Sequence, residues 1–156
     1  MAEVNDFTYC NSKNGRTKNI FRRSKKFILS EHNGAESIFV GRVRNENSGK
    51  KVTAVTYDAH DQAVIKSFQS ICNDAKNKFD NRASIFLEHA KGYVPVGEIS
   101  ILIAVSTGHR DEAFKICRYI LEEIKHKSPI WKKEHYIEGN EEWLPGHSLR
   151  PKEEIK

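Results

Sequence analysis

The stretch "ISILIAV", residues 99–105, decides the fold of this chain. It is a nearly continuous apolar run, bounded on one side by "GYVPVGE" and on the other by "STGHRDE". It is far too short for a membrane span, and its length favours a strand. A strand with so few polar residues is typical of one buried on both faces, so we expect it at the centre of a sheet.

Outward from this strand, the pattern predicts three more strands and two helices. Strands are expected at 37–43, 51–59 and 83–89, with a turn at 45–49 and a Pro/Gly turn region at 92–98. The first two should pair as an antiparallel hairpin. A helix capped by Asp61 should extend to about Phe79. The order strand, strand, helix, strand, strand, helix predicts an α+β domain of two layers.

The second helix should open at Asp111 and stop near Lys127, because Pro129 cannot continue it. Its buried stripe at helical spacing is expected to be Ala113, Phe114, Ile116, Cys117, Ile120, Leu121 and Ile124.

Composition bounds the class of protein. The chain has 156 residues and a net charge of +5, with 38% hydrophobic and 30% charged residues. We expect one folded domain over 20–144, a poorly ordered lead-in at 1–19 and a frayed tail at 145–156. The start of the chain has no apolar signal segment, and no run is long enough for a membrane span, so a cytoplasmic location is expected. Three widely spaced cysteines argue against a disulfide framework or a zinc site, and Cys72 and Cys117 are expected in the core.

Two loops carry candidate anion-binding residues. "STGHRDE" (106–112) joins the apolar strand to a helix N-terminus, where unpaired N–H groups and the helix dipole favour an anion. His109 and Arg110 there suggest a phosphate site, and an ordinary polar loop is equally compatible with the spacing. In "GRVRNEN" (41–47), Arg42 and Arg44 are two residues apart and should share one strand face, either around an anion or paired with an acid such as Asp58.

The third candidate is "KHKSPIWKKE" (125–134). After the stop at Pro129, Ile130 and Trp131 should bury themselves as anchors and hold Lys125 and Lys132 in place. A partly desolvated lysine near other cations has a lowered pKa and can act as a nucleophile or a proton donor. A solvated basic edge is the alternative.

Taken together, "FVGRVR" (39–44), "STGHR" (106–110) and "K-x-x-x-P-I-W-K-K-E" (125–134) resemble the large, catalytic subunit of molybdopterin synthase. The resemblance runs from about residue 34 to residue 143. It implies an α/β hammerhead fold with an additional antiparallel β subdomain, which agrees with the α+β pattern.

The resemblance also implies an activity and partners. Members of this family convert cyclic pyranopterin monophosphate to molybdopterin by sulfur transfer. The sulfur arrives as a thiocarboxylate on the C-terminal Gly-Gly of a small ubiquitin-like carrier subunit. Large subunits form a homodimer within a heterotetramer. No metal or resident cofactor is implied, because molybdenum enters at a later step.

By the same resemblance, Lys125 and Lys132 correspond to catalytic lysines. The residues implied to bind substrate are Phe39, Arg42, Val43, Arg44, His109, Arg110, Lys133 and Glu134.

Two other classes of function are compatible with the charge pattern. One is a basic nucleic-acid-binding module that uses Arg22 to Lys26 and the 125–133 cluster. The other is a non-catalytic, diverged paralogue that serves as a scaffold.

Overall fold

The computed structural model describes residues 19–144. The predicted tail at 145–156 and, but for Asn19, the predicted lead-in at 1–19 lie outside these residues. The elements in chain order are α1 Ile20–Ile28, β1 Ala35–Arg42, β2 Glu46–Asn47, β3 Lys50–Ala59, α2 Asp61–Phe79, β4 Ser84–His89, β5 Gly92–Pro95, β6 Ile99–Thr107, α3 Arg110–Lys127, β7 Ile130–Tyr136 and β8 Glu141–Trp143. Helices and two antiparallel sheets confirm the predicted α+β class with an additional β subdomain.

The predicted central strand is the middle of the first sheet, whose order is β1-β6-β4. Every residue of β6 is buried. Ile101, Ile103 and Val105 belong to the core shared with α2 and α3, whereas Leu102 and Ala104 pack on the opposite face with α1. Helices on both faces explain why the run is almost entirely apolar.

Helix α1 was not predicted, because its sequence is dominated by basic residues. Its buried positions are Ile20, Ser24 and Ile28, one turn apart, which leaves the cations on the solvent side. Arg23 is the exception, since its guanidinium donates two hydrogen bonds to Glu88 on β4, at 2.7 and 2.8 Å.

The second sheet is built around β3. Strands β2 and β5 pair with it, β7 pairs along residues 52–59, and β8 lies outside β7. The predicted hairpin between residues 37–43 and 51–59 is therefore wrong, because β1 pairs with β6 instead. The register shifts between Gly41 and Arg42, and the chain then crosses to the second sheet.

A much shorter hairpin does form at the predicted turn. Ser48 and Gly49 have φ of 50° and 78° and join β2 to β3. Positive φ at both central residues is the geometry that matches the twist of a tight hairpin, and glycine adopts it without strain.

The ends of the helices are close to the prediction, with one change at α2. Its N-cap is His60, whose ring nitrogen accepts a hydrogen bond from the Ala63 N–H. Asp61, the predicted cap, lies in the first turn and pairs with Lys91 at 2.8 Å. Helix α3 ends at Lys127, as Pro129 requires.

Four sequence expectations near α3 and β5 are corrected. Residues 130–136 form a strand of the second sheet, and residues 92–95 of the expected turn region form β5. Ile130 is buried as predicted, but Trp131 is 44% exposed because neighbouring residues on a strand point to opposite faces. Phe114 is also on the surface, 65% exposed. Cys72 and Cys117 are in the core as expected.

Candidate active site

The break at Pro129 brings the two singled-out lysines to one place. Lys125 lies in the last turn of α3, and Lys132 lies on β7, directly opposite Tyr57 of β3. Burial lowers the pKa of Lys132, the nearby carboxylate of Glu134 opposes this, and the positive charges of Arg44 and Lys125 lower it further. Both cations are therefore within electrostatic range of Lys132. We refer to Arg44, Lys125 and Lys132 as the cation cluster.

Glu134 is the acidic neighbour of this cluster. It is only 4% exposed and lies two residues from Lys132 on the same face of β7. Its Oε1 accepts a hydrogen bond from Asn47 Nδ2 at 2.7 Å, and its Oε2 accepts one from the Tyr136 hydroxyl at 2.9 Å. A buried carboxylate needs such partners, so its position is well defined.

Lys133 points the other way. Its amine pairs with Glu141 at 3.0 Å and lies over the Trp143 ring, 5.3 Å from the ring centre. Both partners belong to β8. The structure therefore places Lys133 on the outer face of the second sheet, apart from Lys132.

Of the segment around β1, only Arg44 joins the cluster. Phe39 is half-buried and packs against the main core. Arg42 donates a hydrogen bond to the Gly97 carbonyl at 2.7 Å, and Val43 is buried. The expectation that Arg42 and Arg44 share a strand face does not hold, because β1 ends at Arg42.

His109 and Arg110 are at the opposite end of α3. His109 is the N-cap residue, Arg110 begins the helix, and both are exposed. Fifteen residues at 1.5 Å each separate Arg110 from Lys125 by roughly 22 Å along the helix axis. Within one chain, these residues cannot meet the cation cluster.

Sequence reasoning missed Asn47, Tyr57 and Tyr136. Lys132, Glu134 and Tyr136 occur at every second position, so they share one face if residues 130–136 form a strand. This pattern could have indicated Tyr136, but the segment was not predicted as a strand. Asn47 lies 87 residues from Glu134 in sequence, and nothing local indicates that they meet.

Within the described residues 19–144, no group of three or more His, Cys, Asp or Glu side chains is arranged to hold a metal ion. None of the helices in this range is long and apolar enough to cross a membrane.

The fold points to the class, because the same architecture recurs in a solved enzyme. The crystal structure of molybdopterin synthase from Staphylococcus aureus superposes with a TM-score of 0.81 at 26% identity, covering 92% of this chain and 99% of that one. The molybdopterin synthase catalytic subunit of Synechococcus elongatus is 40% identical over 124 residues, which are 80% of this chain and 75% of the relative.

The family model described as MoaE protein matches residues 16–127. The chain belongs to the MoaE family. Its fold is also that of a Helicobacter pylori structure, solved as a complex of subunits 1 and 2 of molybdopterin-converting factor, with a TM-score of 0.73 at 20% identity.

Proposed function

We propose that this protein is the catalytic subunit of molybdopterin synthase and transfers sulfur to cyclic pyranopterin monophosphate in molybdenum cofactor biosynthesis. Family membership supports the reaction class. The observation that carries the assignment of the site is that the charges of Arg44 and Lys125 both act on the partly buried Lys132, which follows the Pro129 break.

The chemistry of the reactants fits a cationic, partly buried site. The precursor carries a phosphate, and the sulfur donor is a thiocarboxylate, so two anions must approach each other. Fixed cations offset their repulsion and stabilise the negative charge that develops on the acyl oxygen. Because the pKa of Lys132 is lowered, its ammonium form donates a proton more readily than that of an exposed lysine. Its neutral amine, the nucleophilic form, is also more populated at neutral pH.

The sulfur donor in this proposal is a small ubiquitin-like carrier with a C-terminal Gly-Gly thiocarboxylate. The related Helicobacter pylori protein is described as a complex of two different subunits, which supports a small protein partner. The carrier's tail would enter beside Lys125 and Lys132.

We also propose that a second copy of the chain completes the site, as a homodimer within a heterotetramer. His109 and Arg110 are too far from their own cation cluster to share a ligand with it. Phe114 lies one turn after Arg110 on the same helix face and is 65% exposed. An exposed aromatic beside two anion-binding side chains suits a surface that docks against a second copy.

Turnover of single variants tests the assignment. With thiocarboxylated carrier and precursor supplied, Lys125→Ala and Lys132→Ala should fold normally and lose at least about a hundredfold in molybdopterin formation, because each removes a fixed charge from the site. Lys127→Ala is the matched control, since Lys127 lies on the same turn as Lys125 but pairs with Glu123 on the surface. Near-normal turnover by both cluster variants would refute the assignment.

The nucleic-acid alternative finds no support in the relatives. The cation-rich helix on which it relied uses Arg23 internally, in the ion pair with Glu88. The diverged-paralogue alternative predicts that Lys125→Ala is without effect, so the same assay decides it. A cytoplasmic location stays a prediction.

A further inference from the structure

We propose that Asn47 and Tyr136 are positioning residues that hold Glu134 as the built-in counter-charge of Lys132, so that Glu134 acts on the lysine and not on the substrate. The catalytic role in this inference rests on the proposed function. The effect of Glu134 on the charge state of Lys132 does not, and it can be tested separately.

Two segments distant in sequence build this arrangement. Glu134 and Tyr136 follow Lys132 at two-residue steps on β7, so the three side chains share one face. Asn47 comes from the short β2 hairpin on the far side of β3. Each carboxylate oxygen of Glu134 thus has its own donor, at 2.7 and 2.9 Å, and the group is 4% exposed.

The charges around Lys132 explain why such a carboxylate is needed. Lys125 from α3 and Arg44 from the segment after β1 add positive charge, and burial already disfavours the ammonium form. Among the groups that shift the pKa of Lys132, Glu134 alone favours the charged form. The same carboxylate acts on the facing Tyr57 of β3, whose pKa is raised by burial and by Glu134.

The two donors are suited to a permanent clamp. Burial and the bond to Glu134 raise the pKa of Tyr136 to about 12, so its hydroxyl remains a donor at any working pH. The Asn47 amide has no titration at all. With both oxygens engaged by Asn47 and Tyr136, the Glu134 carboxylate is fixed on the face of β7 that carries Lys132 before any reactant arrives. The two anionic reactants then meet a cation cluster in which one positive charge is already offset by a fixed carboxylate.

The amine of Lys132 can be titrated without any turnover. Competitive acylation of the full chain with acetic anhydride, followed by peptide mass spectrometry, reports the neutral fraction of each lysine across pH. In Glu134→Gln the neutral fraction of Lys132 should rise, giving at least about a threefold increase in labelling at neutral pH. Tyr136→Phe and Asn47→Ala should each give a smaller increase in the same direction, because they loosen the carboxylate without removing it.

Glu141→Gln is the matched control. It removes a carboxylate from the same sheet, but on the outer face, where Glu141 pairs with Lys133. Labelling of Lys132 should not change in this variant. Unchanged Lys132 labelling in Glu134→Gln, with the control behaving as expected, overturns the inference.

Kinetics then separate positioning from substrate binding. If Glu134 sets the state of Lys132, Glu134→Gln and Tyr136→Phe move the ionisation that governs kcat to lower pH and leave KM for the precursor unchanged. A raised KM with an unmoved pH profile means that Glu134 binds substrate, and the inference is wrong. If labelling of Lys132 increases as expected while Lys132→Ala retains full turnover, the proposed function is wrong. The inference that Glu134 sets the charge state of Lys132 is then still supported.

Discussion

Adjacent lysines on β7 have opposite environments. Lys132 faces inward, half-buried beside Arg44 and Lys125, whereas Lys133 faces outward to Glu141 and Trp143. The strand alone causes this difference, because successive side chains point to opposite faces. A lysine whose ammonium form is disfavoured by its surroundings is the one expected to take part in chemistry.

His89 provides a test of the fold at the scale of one residue. Burial lowers its pKa to about 4, and only the Ala90 carbonyl opposes this. The folded protein keeps this ring neutral, whereas the unfolded chain binds a proton below pH 6.5. The free energy of unfolding should therefore fall as pH falls from 6.5 to about 4, by about 3 kcal/mol at most from this residue.

Urea unfolding at pH 7 and pH 4.5 measures this effect. His89→Gln should show a smaller loss between the two values than the unchanged protein does, since carboxylate titrations are common to both. Equal losses would mean that His89 is not the buried neutral group described here.

Single residues were predictable from sequence where their neighbours are local. Ile130, Cys72 and Cys117 were correctly expected in the core, because apolar side chains at helix or strand spacing have few other places to go. Trp131 and Phe114 were not, because the period of 130–136 was unknown and the apolar stripe of α3 was taken too wide. The partners of Glu134 were invisible, since they depend on pairings across the chain.

At the scale of elements, an ion pair between the partly exposed Arg23 and the buried Glu88 links α1 to the first sheet, beside the apolar packing of Ile20 and Ile28. The Glu88 carboxylate is 3% exposed and bonded through both oxygens to Arg23. Removing one partner of such a pair leaves a buried charge uncompensated, which costs more than the pair itself contributes.

Arg23→Ala should therefore destabilise the protein by on the order of 3 kcal/mol, measured by chemical denaturation. Lys25→Ala, on the exposed face of the same helix, is the control and should change stability by less than about 0.5 kcal/mol. The double variant Arg23→Met with Glu88→Leu should recover most of the loss, because no unpaired charge remains. No recovery would assign the loss to helix packing.

Elements set by local periodicity were predicted well, and those set by distant pairing were not. The strand at 99–105 and the helices ending near 79 and 127 follow from spacing and from Pro129. Strand β7 was not predicted, because the polar residues "KKE" are typical of a loop. They form a strand through their pairing with β3, which is distant in sequence. The wrong hairpin has the same origin, since nothing near residues 37–43 indicates pairing with residues 99–107.

For the molecule as a whole, helix α3 separates the two halves of the predicted site. The cation cluster is at its C-terminal end, and His109 and Arg110 are at its N-terminal end. A site that contains residues from both ends of α3 needs two copies of the chain. One copy would supply the cation cluster, and the other would supply His109 and Arg110.

Mixing two inactive variants tests this arrangement. In the proposed homodimer, Lys125→Ala and Arg110→Ala should each be nearly inactive. After unfolding and refolding together, half of the dimers should be mixed, and each should hold one site with both native residues, giving roughly a quarter of the normal turnover. The same mixture combined without exchange of subunits is the control. No recovery after exchange would place both residues in the same chain's site or outside the site.

Strand β3 gains its last neighbour late. Residues 50–59 are synthesised well before residues 130–136, with which they pair along one edge. At about 5 to 20 residues per second, the ribosome would leave that edge uncovered for roughly four to fifteen seconds. A hydrophobic strand in this state is a template for association with other nascent chains, so chaperone supply during translation should limit the yield of this protein.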